Sequence, residues 1–265
     1  MIESRASEAP QADRLAFLTG APVAHRGFHG PGVPENSLAA IEAAVAAGFA
    51  VEVDLQSSRD HVPVVFHDFR LERLTGEAGP LAARDACELS VLRLLGTEER
   101  IPALSDMLDL VRGRVPILLE VKTESLRPGP FESAIAAAMA TYSGPLAVMS
   151  FNPVAAGYFA HAAPDIPRGQ VSCRYTDWGK AAGSVVDRIL LQHLLVMRIS
   201  KPDFIAYALK DLHRPAPQLA RRAGMPLLTW TVRSPADAAR GLSLADNIIF
   251  EGFDPRTAGL AGGSS

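Results

Sequence analysis

Short runs of apolar, often β-branched residues alternate along this chain with longer stretches rich in alanine and leucine. The short runs predict strands at residues 23–25, 49–56, 62–67, 115–122, 146–151, 169–172, 203–207, 227–232 and 247–250. The longer stretches predict helices at residues 36–47, 103–112, 131–142, 178–199, 217–223 and 236–242, with one more starting at residue 152. Alternating strands and helices are typical of parallel sheets. About eight strand positions favour a closed (β/α)8 TIM-type barrel over an open sheet.

The alternation is interrupted once, after the second strand. Residues 60–63 form a turn between two strands with no helix between them, which predicts a β-hairpin, and residues 69–101 show no clear period. We therefore expect a small hairpin and loop insertion at about residues 57–100. The Gly- and Ser-rich end predicts a flexible tail at 256–265. The 265 residues then form a single TIM-barrel catalytic domain, since such barrels have roughly 250 residues.

Composition narrows the class of protein. Hydrophobic residues make up 48% and charged residues 21% of the chain, with a net charge of −3, which is ordinary for a soluble enzyme. The chain has no basic stripe of the kind that binds nucleic acid, so no nucleic-acid partner is predicted. No stretch approaches the ~20 apolar residues of a transmembrane segment, and the first residues lack a signal peptide. The expectation is a cytoplasmic protein, and its oligomeric state stays open.

Two acidic residues share one face of the predicted second strand. Because side chains alternate along a strand, Glu52 and Asp54 point to the same side, and the residues between and beside them are apolar. Like charges crowded on a sheet are unfavourable unless something neutralises them, and a hard divalent cation would do so. An edge strand with both carboxylates in water is the alternative from this segment alone.

The strand at 115–122 ends in a similar way. Glu120 and Lys122 share a face at the end of a run that is otherwise apolar. A buried strand with this ending is typical of a site at the C-terminal mouth of a barrel, where barrel enzymes keep their chemistry. A surface pair of opposite charges is the alternative.

Two histidines each end an apolar run, and each has charged neighbours. They are His25, followed by Arg26, and His67, followed by Asp68. Histidine is the side chain best suited to proton transfer near neutral pH. Together with three carboxylates and two cations, the pair indicates phosphoryl-ester chemistry, because oxygen ligands suit a divalent ion and Arg or Lys suits a phosphate.

A series of motifs in chain order gives a resemblance to a known family. The matching segments are Ala24-His25-Arg26-Gly27, Pro34-Glu35-Asn36-Ser37, Glu52-Val53-Asp54, Val64-Val65-Phe66-His67-Asp68, Leu71 with Arg73 and Thr75, Ile101-Pro102-Ala103-Leu104 and Glu120-Val121-Lys122, with weaker echoes at Ser150-Phe151-Asn152 and Thr229-Trp230-Thr231-Val232. In this order they resemble the glycerophosphodiester phosphodiesterases, over about residues 21–255. No single segment is specific, but the ordered series is.

The resemblance implies metal-dependent hydrolysis of glycerophosphodiesters to sn-glycerol 3-phosphate and an alcohol. By this resemblance His25 and His67 are the acid/base pair, and Glu52, Asp54 and Glu120 hold one divalent cation, Mg2+ or Ca2+. The remaining implied roles are phosphate binding for Arg26 and Lys122, lining of the pocket near the alcohol for Trp230, and support of the mouth for Glu35 and Asn36. Asn36 is also the expected N-cap of the first helix.

Two positions depart from the family pattern. Ser37 stands where the family usually has Thr, and the last strand ends in Phe250-Glu251 where the family usually has Thr-Asp. The second departure changes the floor of the expected pocket. Two other functions stay open: a lysophospholipase D-like enzyme, with apolar residues at 197–199 and 204–209 facing a lysolipid, and a non-catalytic barrel that binds phosphodiesters.

Overall fold

A closed barrel of eight parallel strands forms the centre of the computed structural model, which describes residues 14–176 and 184–258. The strands are β1 (Val23–Ala24), β2 (Ala50–Ser57), β3 (Pro63–Val65), β4 (Ile117–Val121), β5 (Leu146–Ser150), β6 (Arg168–Ser172), β7 (Phe204–Ala208), β8 (Leu227–Val232) and β9 (Asn247–Phe250). β1 pairs in parallel with both β2 and β9, which closes the sheet. The predicted TIM-type barrel is confirmed.

One of the nine strands, β3, lies outside the barrel. It pairs antiparallel with the far end of β2, with Leu55 opposite Val65. The hairpin predicted after the second strand is therefore confirmed. Because β2 extends past its parallel partners, the hairpin rises at the C-terminal mouth and brings His67 towards the end of β2.

The α-helices of the described residues lie mostly between the strands. They are α1 (Leu38–Ala47), α2 (Glu72–Thr75), α3 (Ala86–Leu89), α4 (Leu104–Val111), α5 (Pro130–Thr141), α6 (Pro153–Ala162), α7 (Val185–Gln192), α8 (Met197–Ser200), α9 (Pro215–Arg222) and α10 (Pro235–Leu244). The helix predicted at 178–199 is not continuous: residues 177–183 lie outside the described residues, and α7 and α8 are separated. Leu194, at φ 58°, interrupts the helical backbone between them.

The insertion at 57–100 has a small hydrophobic core of its own. Its buried members are Val64, Phe66, Leu71, Leu74, Leu81, Leu89, Leu94 and Ile101. The sequence shows no period here because α2 and α3 each have four residues, about one turn of helix. The segment is thus packed against itself rather than being an open loop.

Alternate residues of the barrel strands fill its interior. The buried interior residues are Leu18, Val23, Ala50, Leu118, Ala147, Met149, Val171, Phe204, Ala206, Leu228 and Ile249. Leu18 comes from a 3-10 turn at Ala16–Thr19, and Asn247 donates hydrogen bonds to the carbonyl oxygens of Leu18 and Ala21. The N-terminal end of the barrel is therefore filled, which leaves the C-terminal end for a site.

The C-terminal end of the chain is only partly described. Residues 256–258 of the predicted flexible tail belong to a 3-10 turn at Pro255–Ala258, and the rest of the tail lies outside the described residues. Within the described ranges, no helix combines the length and the apolar character needed to cross a bilayer.

The N-cap of α1 differs from the expectation. Ser37, not Asn36, is the N-cap: its Oγ accepts a hydrogen bond from the Ala40 N–H at 3.1 Å. Both residue types are good caps, so the local sequence did not separate them. The side chain of Asn36 is instead engaged with Asp54 at the barrel mouth.

Removal of this cap gives a first testable expectation. We expect Ser37→Ala to lower the free energy of unfolding by about 1 kcal/mol, because the Ala40 N–H loses its buried acceptor. Urea denaturation measures the change. Ser243→Ala is the control, since the Ser243 hydroxyl is exposed and bonds only to Arg240 in the same helix. Equal stability of the two variants would contradict the assignment of the cap.

Candidate active site

Three buried carboxylates meet at the C-terminal mouth of the barrel. Glu52 and Asp54 extend from β2 and Glu120 from β4, and Asp54 and Glu120 are direct partners in the parallel register. One oxygen from each lies within 4.8 Å of the others. Their exposed fractions are 1%, 1% and 8%. Three carboxylates that lie this close together and are this well buried are arranged like the ligands of an oxygen-coordinated cation.

Two cations compensate part of this negative charge. The Lys122 Nζ lies 2.5 Å from Glu120 and 3.0 Å from Asp54, and the Arg26 Nε lies 3.3 Å from Asp54. Burial alone would raise the pKa of Asp54, but the charges of Lys122, His67 and Arg26 hold it well below its usual value. The Asp54 carboxylate is therefore ionised throughout the neutral range.

Glu52 has much less compensation. Its Oε2 accepts a hydrogen bond from the Arg26 backbone N–H at 3.0 Å, but its buried Oε1 has no hydrogen-bond partner among the described residues. Burial, followed by the charges of Asp54 and Glu120, raises the pKa of Glu52 well above its usual value. A buried carboxylate oxygen without a hydrogen-bond partner, on a residue of a carboxylate cluster, is typical of a metal ligand.

His25 lies between the carboxylate cluster and a fourth carboxylate. Its Nδ1 is 2.5 Å from Glu251 Oε2, and its Nε2 is 3.9 Å from Glu52 Oε2. Burial would raise the pKa of Glu251, but His25, His29 and Arg233 hold it far below its usual value. The backbone N–H of His25 donates to the Phe250 carbonyl across the β1–β9 seam. Barrel closure thus places this histidine.

His67 has a matching carboxylate partner. Its Nδ1 lies 2.6 Å from Asp68 Oδ1, and Gln56 donates a hydrogen bond to the His67 carbonyl. Burial lowers the pKa of His67, and the carboxylate of Asp54 offsets this only in part. With Nδ1 facing Asp68, Nε2 is the ring nitrogen left to exchange a proton.

A chain of ion pairs joins the two sides of the mouth. Arg73 contacts both Asp68 and Glu35, and Glu35 in turn contacts Arg26. Each charged group pairs with an oppositely charged neighbour, so both arginine side chains are held in place. The chain links the partner of His67 to the cation expected to bind phosphate.

Asn36 connects the first loop to the carboxylate cluster. Its Nδ2 donates to Asp54 Oδ2 at 2.9 Å, and its Oδ1 accepts from the Asp54 N–H at 3.3 Å. The residue is fully buried, at φ 58°. Asn is among the few residues other than Gly that adopt this left-handed conformation readily, so the side chain and the backbone both suit this position.

The other half of the mouth is apolar. Cys173, Tyr175 and Ala208 form a buried cluster there. Trp230, at the end of β8, packs against this cluster, and its ring lies 5.4 Å from that of Phe151. Strands β9, β1, β2 and β4 thus present charged groups, whereas β5 to β8 present aromatic and aliphatic ones. A molecule with an anionic end and an organic end fits this division.

A cavity of about 540 Å³ opens beside His67. Its lining residues are His67, Asp68, Phe69, Arg70, Glu72, Arg73, Val121, Lys122, Thr123, Glu124 and Phe151. The cavity therefore runs from the charged half of the mouth, at Lys122, to the aromatic half, at Phe151. Such a space suits a small organic ligand.

The residues proposed from the sequence all lie at this mouth, but some of their neighbours were missed. In the sequence, Glu251 is only a departure from the family pattern, and no motif singles out His29, which lies 3.9 Å from Glu251. Asp68 and Arg73 matched family motifs without a role. The available signal for Asp68 was its position directly after a histidine. Glu251 had no such local signal, because it lies 226 positions from His25 in the chain.

Comparison with known proteins identifies a family. The model of the glycerophosphoryl diester phosphodiesterase family matches residues 25–250. The glycerophosphodiester phosphodiesterase of Bacillus subtilis is 24% identical over 87% of this chain and 83% of its own length. Glycerophosphodiester phosphodiesterase 1 of mouse is 36% identical over 40% of this chain and 30% of its own length.

A solved structure shows the same fold. An Oleispira antarctica phosphodiesterase, in complex with the product sn-glycerol-3-phosphate, superposes with a TM-score of 0.72 and 23% identity, over 90% of this chain and 95% of that one. The chain spans between 30% and 65% of the length of the first curated relatives that it matches. Since the family model covers most of the sequence, the chain belongs to the glycerophosphoryl diester phosphodiesterase family.

Proposed function

We propose that this protein hydrolyses glycerophosphodiesters to sn-glycerol 3-phosphate and an alcohol, with one divalent cation, Mg2+ or Ca2+, held by Glu52, Asp54 and Glu120. The observation that carries the proposal is the placement of this buried carboxylate cluster beside two histidines, each with its own carboxylate partner. Family membership and the relative solved with sn-glycerol-3-phosphate support it.

The carboxylate cluster fits a hard cation by its donor set. All three ligands are oxygens, which Mg2+ and Ca2+ prefer, and Glu52 Oε1 lacks another partner among the described residues. When bound, the cation would neutralise the carboxylates and withdraw charge from the phosphate.

The protein's own cations would orient the phosphate. Arg26 and Lys122 each contact a different oxygen of Asp54, so both lie close enough to the cation site to donate to phosphate oxygens there. Glu35 holds the Arg26 guanidinium at 2.7 Å, and Asn36 holds Asp54. Trp230 faces the organic end of the substrate from the apolar half of the mouth.

The two histidines would move the protons. One accepts a proton from the attacking hydroxyl group, and the other donates a proton to the leaving alkoxide; each such transfer contributes about 10²–10⁴-fold. Nδ1 of each ring faces a carboxylate, which leaves Nε2 as the atom that exchanges the proton.

The proposed reaction has a direct test. We expect release of choline from glycerophosphocholine, or of ethanolamine from glycerophosphoethanolamine, with Mg2+ or Ca2+, and no turnover with EDTA or in His25→Ala. A coupled assay for the free alcohol measures both. Absence of turnover with either diester in both metals would contradict the proposal; a bound diester that persists intact would then favour the non-catalytic binding barrel.

A second candidate, hydrolysis of lysophospholipids, is favoured by one feature of α7. Leu191 packs against the buried cluster of Cys173, Tyr175 and Ala208 at the mouth. Val185, Val186 and Ile189 of the same helix are 61%, 63% and 45% exposed. These residues, rather than residues 204–209, which are all buried, would face an acyl chain.

Variants separate the two substrates. Ile189→Glu should lower turnover of lysophosphatidylcholine and spare that of glycerophosphocholine if lysolipid is the substrate. Leu219→Glu, at an exposed apolar position on α9, is the control. Equal activity of both variants on both substrates would remove this candidate.

A further inference from the structure

We propose that Glu251 is a positioning residue for His25, holding its Nδ1 so that Nε2 faces the carboxylate cluster. The expected effect on catalysis rests on the proposed function, whereas the orientation of the His25 ring does not. It starts from two distances on one imidazole ring: Nδ1 is 2.5 Å from Glu251 Oε2, and Nε2 is 3.9 Å from Glu52 Oε2. A single ring thus spans the gap between Glu251 and the expected metal ligands.

Glu251 is itself fixed from several directions. Its backbone N–H donates to the Val232 carbonyl at 3.0 Å, which continues the β8–β9 pairing. Its Oε1 accepts from the Arg233 Nε at 2.7 Å. Its Oε2 faces His25 at 2.5 Å, with the Nε2 of His29 further away, at 3.9 Å. With 17% of its side chain exposed, the carboxylate is a rigid acceptor rather than a mobile surface group.

The direction of the hydrogen bond follows from charge. An ionised carboxylate only accepts, so the proton must lie on His25 Nδ1. In the neutral ring Nε2 then carries the lone pair and points to the cluster. A free imidazole favours the opposite tautomer, so this orientation has to be imposed by a partner, as carboxylates do for other catalytic histidines.

The backbone at Glu251 is fixed by aromatic packing. Glu251 directly follows Phe250, the last residue of β9. Phe250 turns its ring into a cluster with Phe28 and Phe49, which fixes the backbone at the end of β9. From this fixed point the Glu251 carboxylate reaches both Arg233 and His25.

The test combines spectroscopy and kinetics on the full chain with Mg2+. In wild type, the ¹⁵N signals of the His25 ring, identified by their loss in His25→Ala, should show a protonated Nδ1. Glu251→Ala should move the proton to Nε2 and lower kcat by about 10²-fold, with KM changed less than about twofold because the interaction matters in the transition state. Glu251→Gln should keep the tautomer, since its amide oxygen still accepts, and give an intermediate kcat.

Asp254→Ala is the matched control. Asp254 lies three positions further on, and its side-chain carboxylate pairs with Arg256 away from the mouth, so we expect wild-type tautomer and kinetics. Thermal unfolding checks that each variant folds. An unchanged His25 tautomer in Glu251→Ala, or a kcat equal to that of Asp254→Ala, would overturn the proposal. If wild type turns over no diester, the proposed function fails while the tautomer shift still decides the positioning role.

Discussion

Neutralising Glu52 should stabilise the metal-free protein, whereas neutralising Asp54 two residues away should destabilise it. Both side chains are buried and both are expected metal ligands, but their surroundings differ. Glu52 has an oxygen without a partner among the described residues, and its like-charged neighbours are Asp54 and Glu120. Glu52→Gln removes this repulsion and keeps an acceptor for the Arg26 N–H. We expect a gain of about 1–2 kcal/mol in unfolding free energy at about pH 8.

Asp54→Asn should have the opposite effect. The Asp54 carboxylate pairs with Lys122 at 3.0 Å and with Arg26 at 3.3 Å, and it accepts from Asn36. Loss of its charge removes one of the two counter-charges of Lys122 and one of those of Arg26, which costs up to about 3 kcal/mol. Denaturant unfolding in EDTA measures both variants. Glu42→Gln, at an exposed ion pair with Arg114, is the control and should change stability by less than about 0.5 kcal/mol.

The difference between wild type and Glu52→Gln should depend on pH in a defined direction. The pKa of Glu52 is raised in the folded protein, chiefly by burial, so the folded state binds this proton more tightly than the unfolded chain does. Glu52 therefore contributes its full share of the folding stability below the pKa of glutamate in the unfolded chain, about 4.3. This contribution is lost as the pH rises through the pKa of Glu52 in the folded protein. The advantage of the Gln variant should therefore grow with pH, and an advantage that shrinks with pH would contradict the assignment.

Added metal should reverse the order. Mg2+ or Ca2+ at about 100 times its Kd stabilises a protein by about 2.7 kcal/mol. Wild type should show this increase in melting temperature, while Glu52→Gln and Asp54→Asn should lose most of it and also lose turnover. A metal-induced increase that survives in both variants would place the cation elsewhere.

The barrel and its carboxylates could be predicted because their signals are local. Alternation along β2 puts Glu52 and Asp54 on one face whatever surrounds them, and the charged end of β4 is visible in a run of a few residues. Barrel closure then brings the ends of these strands together. The predictions needed the strand pattern and the rule that barrel sites lie at the C-terminal mouth.

The parts that failed or were missed depend on contacts between distant segments. Asn36 and Ser37 are both good capping residues, and only the contact with Asp54 decides which of them caps α1. Glu251 reaches His25 only because β9 closes onto β1. The four-residue helices of the insertion are too short to give a period, so their packing into a separate core could not be seen in the sequence.

Loss of either histidine should lower turnover strongly without preventing metal binding. We expect His25→Asn and His67→Asn each to lower kcat on glycerophosphocholine by about 10²–10⁴-fold, because each removes one proton transfer. The metal-induced rise in melting temperature should persist, since neither ring belongs to the expected carboxylate ligand set. His161→Asn, at an exposed position on α6, is the control and should retain wild-type kcat.

The leaving group should distinguish the two histidines. His67 lines the cavity that also contains Phe69 and Phe151, and we expect this cavity to receive the alcohol, which makes His67 the acid that protonates it. The p-nitrophenyl ester of glycerol phosphate has a leaving group that departs as a stable anion and needs no proton. On this ester His67→Asn should recover most of the wild-type kcat, whereas His25→Asn should stay impaired because the attacking hydroxyl still needs a base. Recovery by His25→Asn instead would reverse the two roles, and an equal loss in both variants on both esters would show that neither histidine acts as the acid alone.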